Sequence, residues 1–322
     1  MMNRNWVVLG LVFLLLLPGC IHPSLAQELS LPATEASPRI LAVYEPWFGH
    51  PRHIAVGYSS QDPVVIRKQI DQAKGLGISG FVVDWYGDRE PFIDRSYALI
   101  QTIAAEKNFH VAMMYDESEG EDAEATDDAF AAFNKFNDTY LSLNAPGHQA
   151  YLTYHDRPVI FIFPKGGRTN WNRVRAATEK WTDPPLLIYE DRASPFTAAF
   201  DGFYAWINPG DKGWAADGSN WGEDYLHDFY RKMQSKYPDK IAVGAAWAGF
   251  DDSKASWGLN RHISRRCGET FANTMTLWKQ YYHADRSLPF LLVETWNDYE
   301  EGSAIEQGLD KCDPIRNHKP GQ

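Results

Sequence analysis

From Arg39 to Asn297 the chain repeats one pattern: a short apolar run rich in β-branched and aromatic residues, a polar loop, then a stretch of helical period. Continuous apolar runs of this length read as strands covered on both faces. They fall at Ile40–Tyr44, Gly80–Trp85, His110–Tyr115, Pro158–Phe163, Leu186–Tyr189, Gly202–Trp206, Ile241–Ala246 and Phe290–Thr295. The periodic stretches between them predict helices at Pro63–Gly75, Asp94–Lys107, Asp127–Leu141, Trp171–Lys180, Trp221–Lys236 and Thr270–His283. Strands alternating with helices imply parallel strands joined by crossovers. Eight such units over roughly 250 residues match a single-domain α/β fold, the (β/α)8 TIM barrel. A doubly wound sheet satisfies the same periodicity. The fifth crossover helix is poorly signalled, and so little chain follows the last strand that the eighth helix is expected to be short or atypical.

The N-terminus departs from the pattern. Trp6 to Leu17 is a nearly unbroken apolar run behind Arg4, followed by small and helix-breaking residues, which is the form of an export signal. It is shorter than the ~20 residues of a membrane span. Leu17-Pro18-Gly19-Cys20 is similar to a bacterial lipobox and would make Cys20 a lipidation site and membrane anchor. Ser24-Leu25-Ala26 instead suits ordinary cleavage before Gln27, and both exits stay open. The expected division is a signal peptide over 1–26, a linker over 27–38, the barrel over 39–308 and a tail over 309–322. The chain is expected to be exported, as a periplasmic or outer-membrane lipoprotein or a secreted protein. In an oxidising compartment Cys267 and Cys312 are a candidate disulfide, with two separate thiols as the alternative. No Cys-x-x-Cys or paired-His spacing supports zinc, and neither a metal nor a cofactor is expected.

Charge narrows the partners. A formal net charge of -11 repels phosphate backbones, which makes nucleic acid an improbable partner and favours a neutral or cationic ligand. Gly75-Leu76-Gly77-Ile78-Ser79-Gly80 spells a dinucleotide-binding pattern. It follows a helix and opens a strand, however, the reverse of what a pyrophosphate site needs. It reads as a helix C-cap with Gly75 or Gly77 left-handed. The acidic run from Asp116 to Asp122 does not follow the calcium-loop spacing and reads as a solvated loop before a helix. Aromatic residues make up 14% of the chain, including 12 Trp, a surplus that fits either a core or a cleft that stacks on sugar rings.

In a barrel the chemistry sits at the C-terminal strand ends. Those ends carry Tyr44, Glu45 and Trp47; Asp84, Trp85 and Tyr86; Asp116 and Glu117; Glu190 and Asp191; Trp206 and Asn208; Trp247 and Asp251; and Glu294, Trp296, Asn297, Asp298, Tyr299, Glu300 and Glu301. Carboxylates and tryptophans gather there, and histidines are nearly absent, which disfavours acyl transfer with a His base. Glycoside hydrolysis needs this set: one carboxylic acid for the departing oxygen, a second carboxylate as base or nucleophile, and flat rings for sugar faces. Asp298 and Glu301, three residues apart, reach one cavity if their loop makes a helical turn. Crowded like charges then raise the pKa of at least one of them.

The segment Trp296-Asn297-Asp298-Tyr299-x-Glu301 resembles the end-of-barrel motif of glycoside hydrolase family 71. Glu301-Gly302-Ser303-x-Ile305-Glu306, Tyr44-Glu45-Pro46-Trp47-Phe48-Gly49 and Gly77-Ile78-Ser79-Gly80-Phe81-Val82-Val83-Asp84-Trp85-Tyr86-Gly87 resemble segments of family 99. The resemblance runs from about residue 40 to 308. It implies a catalytic pair at Asp298 and Glu301, with Glu301 the general acid. It implies substrate-binding roles for Tyr44, Glu45, Trp47, Asp84, Trp85, Glu117, Trp206, Asn208, Trp247, Glu294, Trp296 and Glu306. In family 99 the partner acts as a base on the sugar's own 2-hydroxyl, with net retention; family 71, an endo-α-1,3-glucanase family, inverts. Position 298 holds Asp where family 99 usually has Glu, so both outcomes stay open. The resulting expectation is an endo-acting glycosidase with an α-linked mannan or glucan, as polysaccharide or oligosaccharide, for substrate. A non-hydrolytic carbohydrate-binding or polysaccharide-assembly barrel is the alternative, and a metal-dependent hydrolase rests on the acidic loop after the third strand alone.

Overall fold

All eight apolar runs become parallel strands in the computed structural model, which describes residues 39–208, 220–281 and 289–313. The strands are β1 Arg39–Tyr44, β2 Gly80–Trp85, β3 His110–Asp116, β4 Arg157–Phe163, β5 Leu186–Glu190, β6 Gly202–Tyr204, β7 Ile241–Ala246 and β8 Phe290–Val293. Each pairs with the next, and β1 also pairs with β8, Ile40 opposite Leu291, so the sheet closes on itself. The fold is a (β/α)8 barrel; the doubly wound alternative is removed by the β1–β8 pairing. The expected signal segment with Cys20, the linker to residue 38 and the tail beyond residue 313 lie outside the described residues.

The helices are α1 Pro63–Gly75, α2 Pro91–Glu106, α3 Asp122–Phe136, α4 Trp171–Thr178, α5 Glu223–Ser235 and α6 Glu269–Tyr281. Proline at the first helical position starts α1 and α2, where its missing N–H costs nothing. Asp62 caps α1 by accepting from Val64 N at 2.8 Å. Helix α3 begins earlier than the apolar period predicts, with Asp122 and Glu124 in its first turn, where negative charge suits the helix dipole. Gly77, at φ 82°, turns the chain from α1 into β2 as a C-cap should, in the left-handed region open to glycine. The fifth crossover holds only the single turn Thr197–Ala199. Among the described residues no helix follows β8.

Alternation along the strands sorts the core into two layers. Leu41, Val43, Val82, Ala112, Met114, Phe161, Ile188, Tyr204, Val243 and Leu292 fill the barrel. Their neighbours, such as Ala42, Tyr44, Val83 and Trp85, face outward against the buried helix stripes, Ile66, Ile70 and Ala73 of α1 and Leu226, Phe229, Tyr230 and Met233 of α5. The inner set matters most for the site. Two residues beyond Val43, Val82, Met114, Ile188 and Leu292 stand Glu45, Asp84, Asp116, Glu190 and Glu294. The period that packs the lumen therefore assigns acids to its C-terminal mouth.

Truncating the inner layer should be costly. Leu292→Ala, fully buried, is expected to lower unfolding free energy by about 2–5 kcal/mol in urea titrations. Val64→Ala, on a residue 72% exposed, is expected to shift it by no more than about 0.5 kcal/mol. Equal effects would contradict the packing described.

Candidate active site

The loop after β8 is built by short-range hydrogen bonds. Asp298 N donates to Thr295 Oγ1 at 2.8 Å, and Asp298 Oδ1 accepts from Glu300 N at 2.9 Å and Glu301 N at 2.8 Å. Such a side-chain-to-backbone turn is what an Asp in this position forms readily. It brings the Asp298 and Glu301 carboxyl groups to one cavity. Asn297 ties this loop to the end of β1: its Oδ1 accepts from Glu45 N at 2.8 Å and its Nδ2 donates to Glu45 O at 2.9 Å. The Trp257 indole N–H donates to Glu301 Oε1 at 2.8 Å.

The cavity, about 70 Å³, is lined by Glu45, Trp47, Asp84, Tyr86, Met114, Asp116, Phe163, Lys165, Trp206, Trp257, Asp298 and Glu301. A larger hollow of about 310 Å³ shares Trp47, Tyr86, Lys165 and Trp257 with it and adds His50, His53 and Phe92 among its walls. Trp47 stacks on His53 with centroids 4.9 Å apart, and Trp257 stands edge-on to both at 6.4 Å. Together they form a deep acidic pocket opening along an aromatic wall.

Burial dominates the electrostatics. It pushes Asp84 up to about 8, with the Asp116 charge adding to the rise. Asp116 is pushed up to about 6 by burial, against the pull of Lys165, whose ammonium is 3.1 Å from Asp116 Oδ2. Glu45 lies well above the usual carboxylate range through burial, then Asp84 and Asp298. Asp298 lies there too through burial and Glu301, while the two backbone N–H groups pull it back toward ionisation. Glu301 is raised by burial, with the Trp257 N–H and Arg261 pulling the other way. A cluster of this kind keeps protons at neutral pH and distributes them among its members.

Of the residues expected at the site, the cavity brings together Glu45, Trp47, Asp84, Trp206, Asp298 and Glu301. Others are placed elsewhere. Tyr44 and Trp85 point outward, the Tyr44 hydroxyl to Gln69 at 2.8 Å and the Trp85 indole to Asp94 at 3.1 Å. Trp247 is buried with its N–H on Trp221 O, and Trp296 packs against Phe81. Glu117 is consumed by three backbone N–H groups, those of Lys165, Gly167 and Thr169. Glu306 is held by Tyr58, Gln69 and Tyr299. Glu294 is fully buried and accepts from Ile207 N at 2.6 Å, outside the cavity lining. Asn208 is exposed where the described residues break off. Cys267 and Cys312 are joined as a disulfide.

Lys165, Trp257, His50, His53 and Phe92 were not among the expected site residues. Lys165 had a readable signal, standing two residues beyond the partly inward Phe163. Trp257 had none, because it belongs to the long loop between β7 and α6 and is 47% exposed.

No protein-family model matches the sequence, and no curated protein matches it. Solved structures do. The GH99 endo-α-mannosidase from Bacteroides thetaiotaomicron superposes with a TM-score of 0.63 at 19% identity, covering 88% of this chain and 92% of that one. The Bacteroides GH99 endo-α-mannosidase in complex with Bis-Tris-propane gives 0.61 at 18%, covering 84% and 87%. A glycoside hydrolase-like protein gives 0.59 at 13%, covering 86% and 89%. The likeness is one of fold: this chain carries the (β/α)8 barrel seen in the GH99 endo-α-mannosidase structures over most of the length of both chains.

Proposed function

We propose that the chain is an exported glycoside hydrolase that cuts within an α-linked polysaccharide, a mannan or a glucan, with Glu301 as general acid and Asp298 as its partner carboxylate. The observation that carries this is the turn at Asp298, which sets two carboxyl groups three residues apart on one cavity beside Trp47 and Trp257. The GH99 neighbours, named as endo-α-mannosidases, support the α-linkage. The apolar run Trp6 to Leu17 supports export, with lipidation at Cys20 or cleavage before Gln27 as its two forms.

The two carboxyl groups are held by different donors. Two N–H groups on Asp298 Oδ1 stabilise the ionised form a base needs, working against the rise that burial and Glu301 impose on this group. Glu301 has one oxygen on the Trp257 N–H, which leaves its other oxygen for the proton that a departing glycosidic oxygen takes up. Glu301 touches the aromatic wall through Trp257, on which the leaving sugars would lie.

Purified mature protein is expected to release oligosaccharides from α-mannan or α-1,3-glucan; saturable binding with no turnover would establish the non-hydrolytic reading instead. NMR of the first-formed product anomer separates retention from inversion. Glu301→Gln should lower kcat by about 10²–10⁴-fold, the usual worth of a general acid, while circular dichroism keeps the native thermal transition. Wild-type turnover in this variant dismisses Glu301 as the acid.

The buried acids also set a pH dependence. Raised carboxyl pKa values mean that the folded state binds more protons than the unfolded state, so stability is greatest below the unfolded value of about 4 and falls as pH rises. For Asp84 the loss runs up to about 8. The thermal midpoint is expected to drop across that window, and Asp84→Asn should flatten the slope. A midpoint that rises from pH 5 to 8 would contradict the burial of these acids.

A further inference from the structure

A pair of catalytic carboxylates accounts for Asp298 and Glu301 but leaves three more acids on the same small cavity, Glu45, Asp84 and Asp116. The cations beside them, Lys165 at 3.1 Å and Arg89 at 3.9 Å, both pair with Asp116. The oxygens are not equally occupied. Asp298 Oδ1 and Glu301 Oε1 each accept hydrogen bonds, whereas Glu45 Oε2 and Asp84 Oδ1 are buried with no donor. The two residues are 4% and 7% exposed and line the cavity. Tyr44 stands opposite Val83 in the β1–β2 ladder, so Glu45 and Asp84 follow side by side on neighbouring strands, ~4.8 Å apart in backbone.

We propose that the glycan bound in this cleft carries a free amino sugar, whose ammonium group sits between Glu45 Oε2 and Asp84 Oδ1. The proposal rests on the glycan-cleaving function put forward above and names its substrate class. A neutral hydroxyl gives one donor and leaves the two carboxyl groups to share the rest of their protons. An ammonium gives three donors and a positive charge between two buried carboxyl oxygens that have no donor. It replaces the protons that the empty cluster must otherwise hold. The net charge of -11 favours the approach of a cationic polymer and disfavours an anionic one.

Because such a surface attracts any polycation, the test uses monosaccharides in matched pairs: mannosamine against mannose, glucosamine against glucose, galactosamine against galactose. Each is titrated into the mature protein at pH 7, followed by calorimetry and tryptophan fluorescence. At least one amino sugar is expected to bind roughly tenfold or more tightly than its neutral counterpart, the size of a charge-assisted hydrogen bond. Asp84→Asn should bring that ratio close to one, with folding checked by circular dichroism; if that variant does not fold, Glu45→Gln serves the same purpose. Equal affinities within every pair, or no detectable binding of any amino sugar, overturn the proposal. So does binding of methylammonium or calcium chloride as tight as that of the amino sugar, since the site would then take a bare cation. Cleavage of neutral α-mannan without any amine preference overturns this proposal and leaves the hydrolase function standing. Amine preference with no cleavage of any glycan supports it and removes the hydrolase function.

Discussion

Burying several carboxylates in one barrel mouth is the constraint on which the rest of this structure turns. A carboxylate taken out of water without a partner costs many kcal/mol, and proteins avoid the cost by protonation or by donors held in place. Here both occur. Asp298 is held by two backbone N–H groups, Glu301 by an indole N–H and Asp116 by Lys165, and burial lifts the whole set toward protonation. The lumen beneath, filled by Leu41, Val43, Val82, Met114 and Leu292, supplies no solvent from below.

Much of this was readable in the chain because parallel strands covered on both faces must be apolar at nearly every position, so their runs stand out. The ends of β6 and β8 were the exceptions, each stopping before the polar and aromatic residues that follow. Closure was not readable, since the β1–β8 pairing joins residues some 250 apart in sequence and no local period encodes it. The fifth crossover carried little helical signal and holds one turn. At the site, grouping residues by nearness to a strand end mixed two faces. Glu45 and Asp84 point inward, so Tyr44 and Trp85, their immediate neighbours on the strands, point to the helices. The same alternation separates Asp116, in the cavity, from Glu117, locked onto the β4–α4 loop.

The tryptophan surplus divides along the same line. Trp85, Trp171, Trp247, Trp278 and Trp296 are fully buried, and Trp85, Trp171 and Trp296 make edge or tilted contacts with other rings. Trp47, Trp206 and Trp257 line the acidic cavity. A barrel wall needs large rings to fill the gaps between curved strands and straight helices, and a sugar cleft needs flat ones. Composition counts both alike; only position on the strand separates them.

The placement of Glu301 shows how the site is kept where the described residues hold no helix after β8. Its indole partner, Trp257, belongs to a loop fastened by Asp252, which accepts from Leu259 N at 3.0 Å, Arg261 N at 2.7 Å and Arg261 Nε at 2.8 Å. Asp251 N donates to Glu301 O at 2.7 Å, so one loop holds both the backbone and the carboxyl group of the acid. Arg265, further along, donates to the carbonyls of Gly302, Ala304 and Gly308. The Cys267–Cys312 disulfide fastens the end of the same segment. These bonds fix the acid against the β7–α6 loop rather than against a helix of its own. The position of the Glu301 carboxyl group therefore depends on residues from 251 to 267, a stretch with little regular secondary structure and no catalytic spelling of its own.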